Sequence, residues 1–444
     1  MIQAAPTSPS KAGAVLSTRY TLYTVSLMTV IYAINLFDRQ MPFIMAEAIK
    51  KDLGLSDTQL GIMGGFAFSL CYAGFSLPLA RLSDRWSPKW VLAGAAASWS
   101  LTTACAALTR SFIPLAITRA LVAVGEAGCV PASHALISAM STPRNRGVIL
   151  TIFMVGPPVG LMAGLALGGW LGELWGWRTA FMVVGLFGLV VALVFALSVP
   201  DVRPAPVEDR GTLAQGARHM LRSRTYRHIF IGMNLLGLAG YSVVTFAPPF
   251  LIRSFALSPS YVGLWLGMAT GVGGGLGTLV GGLFAEAVGR DRPALRLWIP
   301  AISLFIAALC YAGAFIATSS TLSIGLLGCA LCLQAVHAGP CYAAAQTLAP
   351  PHLRATSAAL LVIASALLGA SLGPLIVGMI SDVLMPTLGA SSLRYAMLAV
   401  VPLGVAWTGL HFGLAAAAFE TDFQKLGWPQ RAQEQSSASD TPVS

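Results

Sequence analysis

The amino-acid sequence predicts an all-α membrane protein with twelve transmembrane helices in two pseudo-symmetric six-helix bundles. Three observations carry this expectation. Of 444 residues, 56% are hydrophobic and 10% charged, with a mean hydropathy of +0.74; a soluble domain carries about 25% charged residues. The apolar residues fall in runs of about 20, the length of a helix crossing a bilayer, and not in the short alternating segments of a barrel. The longest hydrophilic break, 199–227, leaves six such runs on either side. A soluble enzyme, a disordered scaffold and a secreted disulfide domain are excluded. The seven cysteines lie in or beside apolar runs, Cys329-x-x-Cys332 included, and read as small buried residues.

In chain order, a polar tail (1–19) precedes spans at 20–46, 57–80, 90–108, 112–140, 146–171 and 177–198, which make an N-terminal bundle over 20–198. The first span is too long for a signal peptide and runs into a charged pair, Asp38-Arg39. A linker (199–227) leads to spans at 228–252, 260–285, 295–317, 321–348, 355–383 and 393–418, a C-terminal bundle over 228–419. A polar tail (420–444) follows. With both termini on the cytoplasmic side, 19 of the 27 Lys and Arg fall in cytoplasmic segments. Such an excess sets orientation in a membrane. The net charge of +10 is therefore a topology signal and not a nucleic-acid footprint, and a bacterial inner membrane is the expected location.

The halves repeat a turn. After the second span comes "GFSLPLARLSDRWSPKW", with Asp84 and Arg85; after the eighth comes "GTLVGGLFAEAVGRDRP", with Glu286 and Arg290. Repeated six-helix halves suggest a transporter whose site lies at the midplane between them. Glycines recur at four-residue spacing in span five (Gly156, Gly160, Gly164, Gly168) and in span eight (Gly271, Gly275). Such spacing fits close helix contact or a hinge.

These motifs resemble those of the major facilitator superfamily. The turn matches Gly-x-Leu-x-Asp-Arg-x-Gly-Arg-Arg at Leu82, Asp84, Arg85 and Lys89; Ala80 replaces the first glycine and Ser87-Pro88 the later one. "NLFDRQ", "TRALVAVGEAG", "GWRTAFMVVGLFGL" and "PPHLRATSAALLV…LGPLIVGMISD" make the chain similar to the spinster-like subfamily over about residues 20–418. The resemblance implies a rocker-switch carrier of the major facilitator fold. It implies a lysophospholipid or sphingosine-1-phosphate-like substrate, and proton coupling, which is proposed for bacterial relatives. It also implies a cytoplasmic gate at Asp84, Arg85, Glu286 and Arg290, whose acids would meet helix N-termini of the opposite half.

Four charges lie deep in the spans: Asp38, Arg39, Arg119 and Glu126. Placing a charge there costs at least about 2.5–3.5 kcal/mol, so pairing or a cavity is expected. At 1.5 Å per residue Asp38 and Arg119 reach similar depth, and Arg39 can reach Glu126 two turns beyond Arg119. The cluster either locks two helices together or supplies a titrating acid, Asp38 or Glu126, since desolvation and a neighbouring arginine act on its proton in opposite directions. The C-terminal spans hold no deep charge; Tyr241, Gln334 and His337 are the expected polar contacts there. One charged and one largely apolar wall suit an amphipathic anion, with its head at Arg39 or Arg119. A small organic anion or a drug-like hydrophobic compound fits the same walls. No cofactor or metal is expected: no phosphate-binding loop of the G-x-x-x-x-G-K-[ST] kind occurs, and the six histidines form no grouping with acids. The expected partners are membrane lipids, protons and the substrate, with function as a monomer. A membrane receptor that moves nothing is the rival of another class.

Overall fold

The computed structural model describes residues 18–142, 145–202, 217–218, 220–289, 294–350, 353, 357, 360–362 and 365–425. The described residues are helical, with no strand among them. Among the described residues, nine apolar helical stretches are long enough to cross a membrane. Two of these, Arg146–Ser198 with 53 residues and Ala370–Lys425 with 56, are long enough to cross twice, and Pro88–Ala106 supplies one more crossing. The result is the expected set of twelve.

We label them α1 (Thr18–Ile44), α2 (Asp57–Arg85), α3 (Pro88–Ala106), α4 (Phe112–Met140), α5 (146–175), α6 (177–198), α7 (Arg224–Phe255), α8 (Pro259–Gly289), α9 (Leu295–Ile316), α10 (Ser320–Thr347), α11 (Ala370–Leu388) and α12 (Ser392–Lys425). Gly176 divides α5 from α6. Its φ of +76° lies where a side chain is disfavoured, and it turns the chain without a loop. Helix starts follow their sequence signals: Ser87 precedes Pro88 and accepts from the Trp90 amide at 3.3 Å, and Ser223 accepts from the Tyr226 amide at 3.1 Å. The linker is shorter than expected, because α7 begins at Arg224. α12 runs on to Lys425, past the expected end of the bundle.

The glycines of span five pack α5 against α1. A Cβ at Gly160 would lie 2.2 Å from the Ala33 carbonyl oxygen, and one at Gly164 2.8 Å from that of Phe37. In α8, Gly277 and Gly281 approach α10 in this way and Gly263 and Gly267 approach α5; a Cβ at Gly271 would lie 3.0 Å from the Met162 side chain, whereas Gly275 meets open space.

Thr18, Asp84, Glu286 and Lys425 lie toward one end of the bundle, the terminal end; Asp57, Glu173, Arg253 and Asp382 lie toward the other, the distal end. Every hydrogen bond that joins the two halves among the described residues is at the distal end. There Arg253 of α7 bonds both oxygens of Asp57 at 2.9 and 3.0 Å and Glu47 at 2.5 Å. Lys50 donates to Asp57 at 2.5 Å and Ser381 of α11 at 2.6 Å, so this buried carboxylate has four donors. Among the described residues, the halves are latched at the distal end and carry no such bonds at the terminal end.

Candidate functional site

The four deep charges converge between α1, α3 and α4. Asp38 and Arg39 are neighbours in the last third of α1, so their side chains leave the helix about 100° apart. Arg39 turns toward α4 and bonds Glu126 through Nε at 3.0 Å and Nη2 at 2.7 Å. Its guanidinium also lies 4.9 Å from the ring centres of both Phe68 and Tyr72 on α2. Those residues are four apart, hence on one face, and two aromatic faces offset part of the cost of burying the cation.

Asp38 turns toward α3. It is fully buried and accepts from the Thr103 hydroxyl at 3.2 Å through Oδ2, while Oδ1 has no partner. The pairing of Asp38 with Arg119 expected from depth does not form: no ion pair within 4.0 Å joins them among the described residues. Equal depth fixes the coordinate along the membrane normal and leaves the lateral one free; the donor that reaches Asp38 is Thr103 of α3. Arg119 is 2% exposed, and its Nε and Nη1 have no partner. Phe68 lies 5.7 Å from its guanidinium carbon. Glu126 keeps Oε1 unpartnered behind its bonded Oε2. The cluster thus holds a bonded pair with one open carboxylate oxygen, an acid with one neutral donor, and a cation with spare donors. Unpartnered buried polar atoms are rare and costly, and four of them within one cluster mark a place where something else binds or where partners exchange.

The facing wall is neutral. Tyr241 of α7 is half-buried in the C-terminal half. The buried Tyr311 hydroxyl donates to Gln334 Oε1 at 2.6 Å. His337 has Nδ1 at 2.6 Å from the Gln334 carbonyl, so Nδ1 carries the proton, and its ring stacks on Phe412. The turn residues lie apart from this site. Asp84, Arg85 and Glu286 are exposed at the terminal end, without an ion pair among the described residues, and Arg290 lies outside the described residues.

Composition did not single out Thr103, Phe68 and Tyr72, since each is ordinary in a membrane span. The pairing of His228 and His411, with Nδ1 atoms 3.0 Å apart, is formed by helices far apart in sequence and was invisible for that reason.

An all-helical membrane protein with two six-helix halves, latched at one end around a buried charged cluster, has the architecture of a secondary carrier. The chain belongs to the Major Facilitator Superfamily, whose model matches residues 28–374. It is 34% identical over 400 residues to an MFS-type efflux pump of Mycolicibacterium smegmatis, covering 90% of this chain and 93% of that one. To human protein spinster homolog 1 it is 26% identical over 81% of its length and 72% of the relative's. The crystal structure of a bacterial homolog of the human lysosomal transporter spinster, inward-facing and unoccupied, superposes with a TM-score of 0.85 at 26% identity, covering 92% of this chain and 99% of that one. The protein is a spinster-like transporter, integral to the membrane and not an enzyme.

Proposed function

We propose that this transporter moves an amphipathic anion of the lysophospholipid kind, coupled to protons, by alternating access between the halves. The observation that carries the reading is Arg119, buried within the N-terminal half with two unpartnered donors. A phosphate or carboxylate head satisfies such donors, and charge-assisted hydrogen bonds are the stronger kind. The tail then lies against the C-terminal wall, where each buried methylene contributes about 0.8 kcal/mol. Asp38 and Glu126 are the proton carriers in this reading. When an anion takes up the arginine donors, the electrostatic balance at both carboxylates shifts, and a proton moves with it. In this reading the termini face the cytoplasm of a bacterial inner membrane, the six-helix halves are 20–198 and 228–419, and the monomer is the working unit.

The test is binding of a lysolipid series of graded tail length to the purified protein. Affinity should rise with tail length and fall about 10- to 100-fold in Arg119→Ala, the loss expected for a charged hydrogen bond of about 1.5–3 kcal/mol. Affinity independent of tail length, with Arg119→Ala unaffected, overturns the reading. A second reading, export of a drug-like hydrophobic anion, is favoured by the likeness to the mycolicibacterial efflux pump; it predicts competition between such compounds and no preference for a phosphate head.

A further inference from the structure

The distal end contains a device that neither the midplane charges nor the terminal turns use, and it is written twice in the sequence. α2 opens with Leu55-Ser56-Asp57-Thr58-Gln59-Leu60-Gly61 and α8 with Leu257-Ser258-Pro259-Ser260-Tyr261-Val262-Gly263, both of the form Leu-Ser-x-[Ser/Thr]-x-x-Gly. α5 reaches the distal end with Gly169-Trp170-Leu171-Gly172-Glu173 and α11 with Gly378-Met379-Ile380-Ser381-Asp382, both a glycine, two large residues, a small residue and an acid. The structure docks the copies crosswise: α11 seats on α2, and α5 seats on α8.

The seams match atom for atom in their logic. In each opening the serine is the N-cap and accepts from the amide three residues on, Ser56 from Gln59 at 3.2 Å and Ser258 from Tyr261 at 3.3 Å. That leaves the first two helical amides, which the acid of the opposite half takes. Asp382 accepts from the Asp57 amide at 2.9 Å and the Thr58 amide at 2.8 Å. Glu173 accepts from the Ser260 amide at 3.1 Å. Glycines let the backbones approach this closely. A Cβ at Gly378 would lie 2.5 Å from the Asp57 carbonyl oxygen, and one at Gly169 2.4 Å from that of Pro259. From the other side, Gly61 faces the Pro374 carbonyl and Gly263 that of Leu165, at 2.4 and 2.2 Å. A carboxylate at a helix N-terminus is favoured both by the open amides and by the helix dipole, and here each such contact exists only while the halves touch.

Of the four positions at which the two openings differ, one removes a donor. Where α2 has Asp57, α8 has Pro259, which has no amide hydrogen. Glu173 is therefore left with one bond where Asp382 has two. Asp57 also ties its own seam to Arg253 and Ser381, and proline supplies nothing comparable.

We propose that Asp382 and Glu173 are paired positioning residues of the transport cycle. Each holds the distal gate shut by capping a helix of the opposite half, and the α5/α8 seam is the weaker of the two, the one that parts first. The proposal does not depend on the substrate or on protons, so it can fail while the functional reading stands, and the reverse. The test uses the full chain in lipid nanodiscs without ligand or pH gradient, with spin-label distances across each seam: between exposed positions 51 and 390 for α2/α11, and between 174 and 261 for α5/α8. Removing a helix cap typically shifts an equilibrium about 2- to 30-fold. Asp382→Ala should raise the distally open population by about tenfold and Glu173→Ala by about threefold, with the double variant highest. The isosteric Asp382→Asn and Glu173→Gln, which keep an acceptor oxygen, should give smaller shifts in the same order; they are read instead wherever an alanine variant does not fold. Unchanged distances in all variants overturn the gate. An effect of Glu173 equal to or larger than that of Asp382 overturns the inequality of the seams.

Discussion

The two walls of the midplane are built from similar six-helix halves and do opposite things with polar groups. The N-terminal wall buries Asp38, Arg119 and Glu126, half-buries Arg39, and leaves atoms on the three buried ones unpartnered. The C-terminal wall has Tyr311, Gln334 and His337, all neutral and joined to one another by hydrogen bonds. The difference teaches that packing is what the internal repeat preserves, while chemistry is assigned to one half. A satisfied neutral wall can line a cavity without changing its own state, whereas a wall with spare donors and acceptors has reason to change partners.

The largest effect expected is from breaking the Arg39–Glu126 ion pair. Arg39→Ala leaves Glu126 buried without its cation, and such a loss costs about 3–5 kcal/mol. Thermal unfolding in detergent should show a large drop, and partial recovery in the double variant Arg39→Ala/Glu126→Gln. Next comes Arg119→Ala, which sharpens the comparison because it separates binding from stability. It removes two unpartnered donors, so the melting temperature should hold or rise while anion affinity falls; a melting loss as large as that of Arg39→Ala would show that Arg119 is a structural lock. On the neutral wall, Tyr311→Phe removes one hydrogen bond to Gln334 and should cost about 1–3 kcal/mol of stability without altering the pH dependence of transport. A changed pH profile there would break the division between the walls.

The smallest effect lies outside the spans. Arg178 donates to Asp52 in the distal loop, and this bond holds the Asp52 carboxyl below its ordinary range. A lowered folded-state value means that the stabilisation is present above the ordinary aspartate range and is lost as pH falls through the folded-state value. The pair is exposed, worth about 0.2–1 kcal/mol, so Asp52→Asn should abolish only a slight acid-side loss in melting temperature.

The twelve crossings and the four deep charges were legible because the bilayer makes both conspicuous: apolar runs must be long, and charges within them are rare. Arg39 with Glu126 was legible from depth and reach. Asp38 with Thr103 was not, since depth along a helix says nothing about which helix stands beside it. The distal latch could have been found from the duplicated Leu-Ser-x-[Ser/Thr]-x-x-Gly openings, a signal in plain view but without meaning until the acids of the opposite half are placed on it. The terminal turns were legible as a repeat, yet Asp84 and Glu286 stand exposed; a chain that populates two states encodes contacts of both, and one structure displays one set.

The most direct test is substrate flux in proteoliposomes under an imposed pH gradient. Proton coupling through the N-terminal wall predicts gradient-driven accumulation in the wild type, lost in Asp38→Asn, in Glu126→Gln, or in both. Wild-type coupling retained in both variants would contradict it.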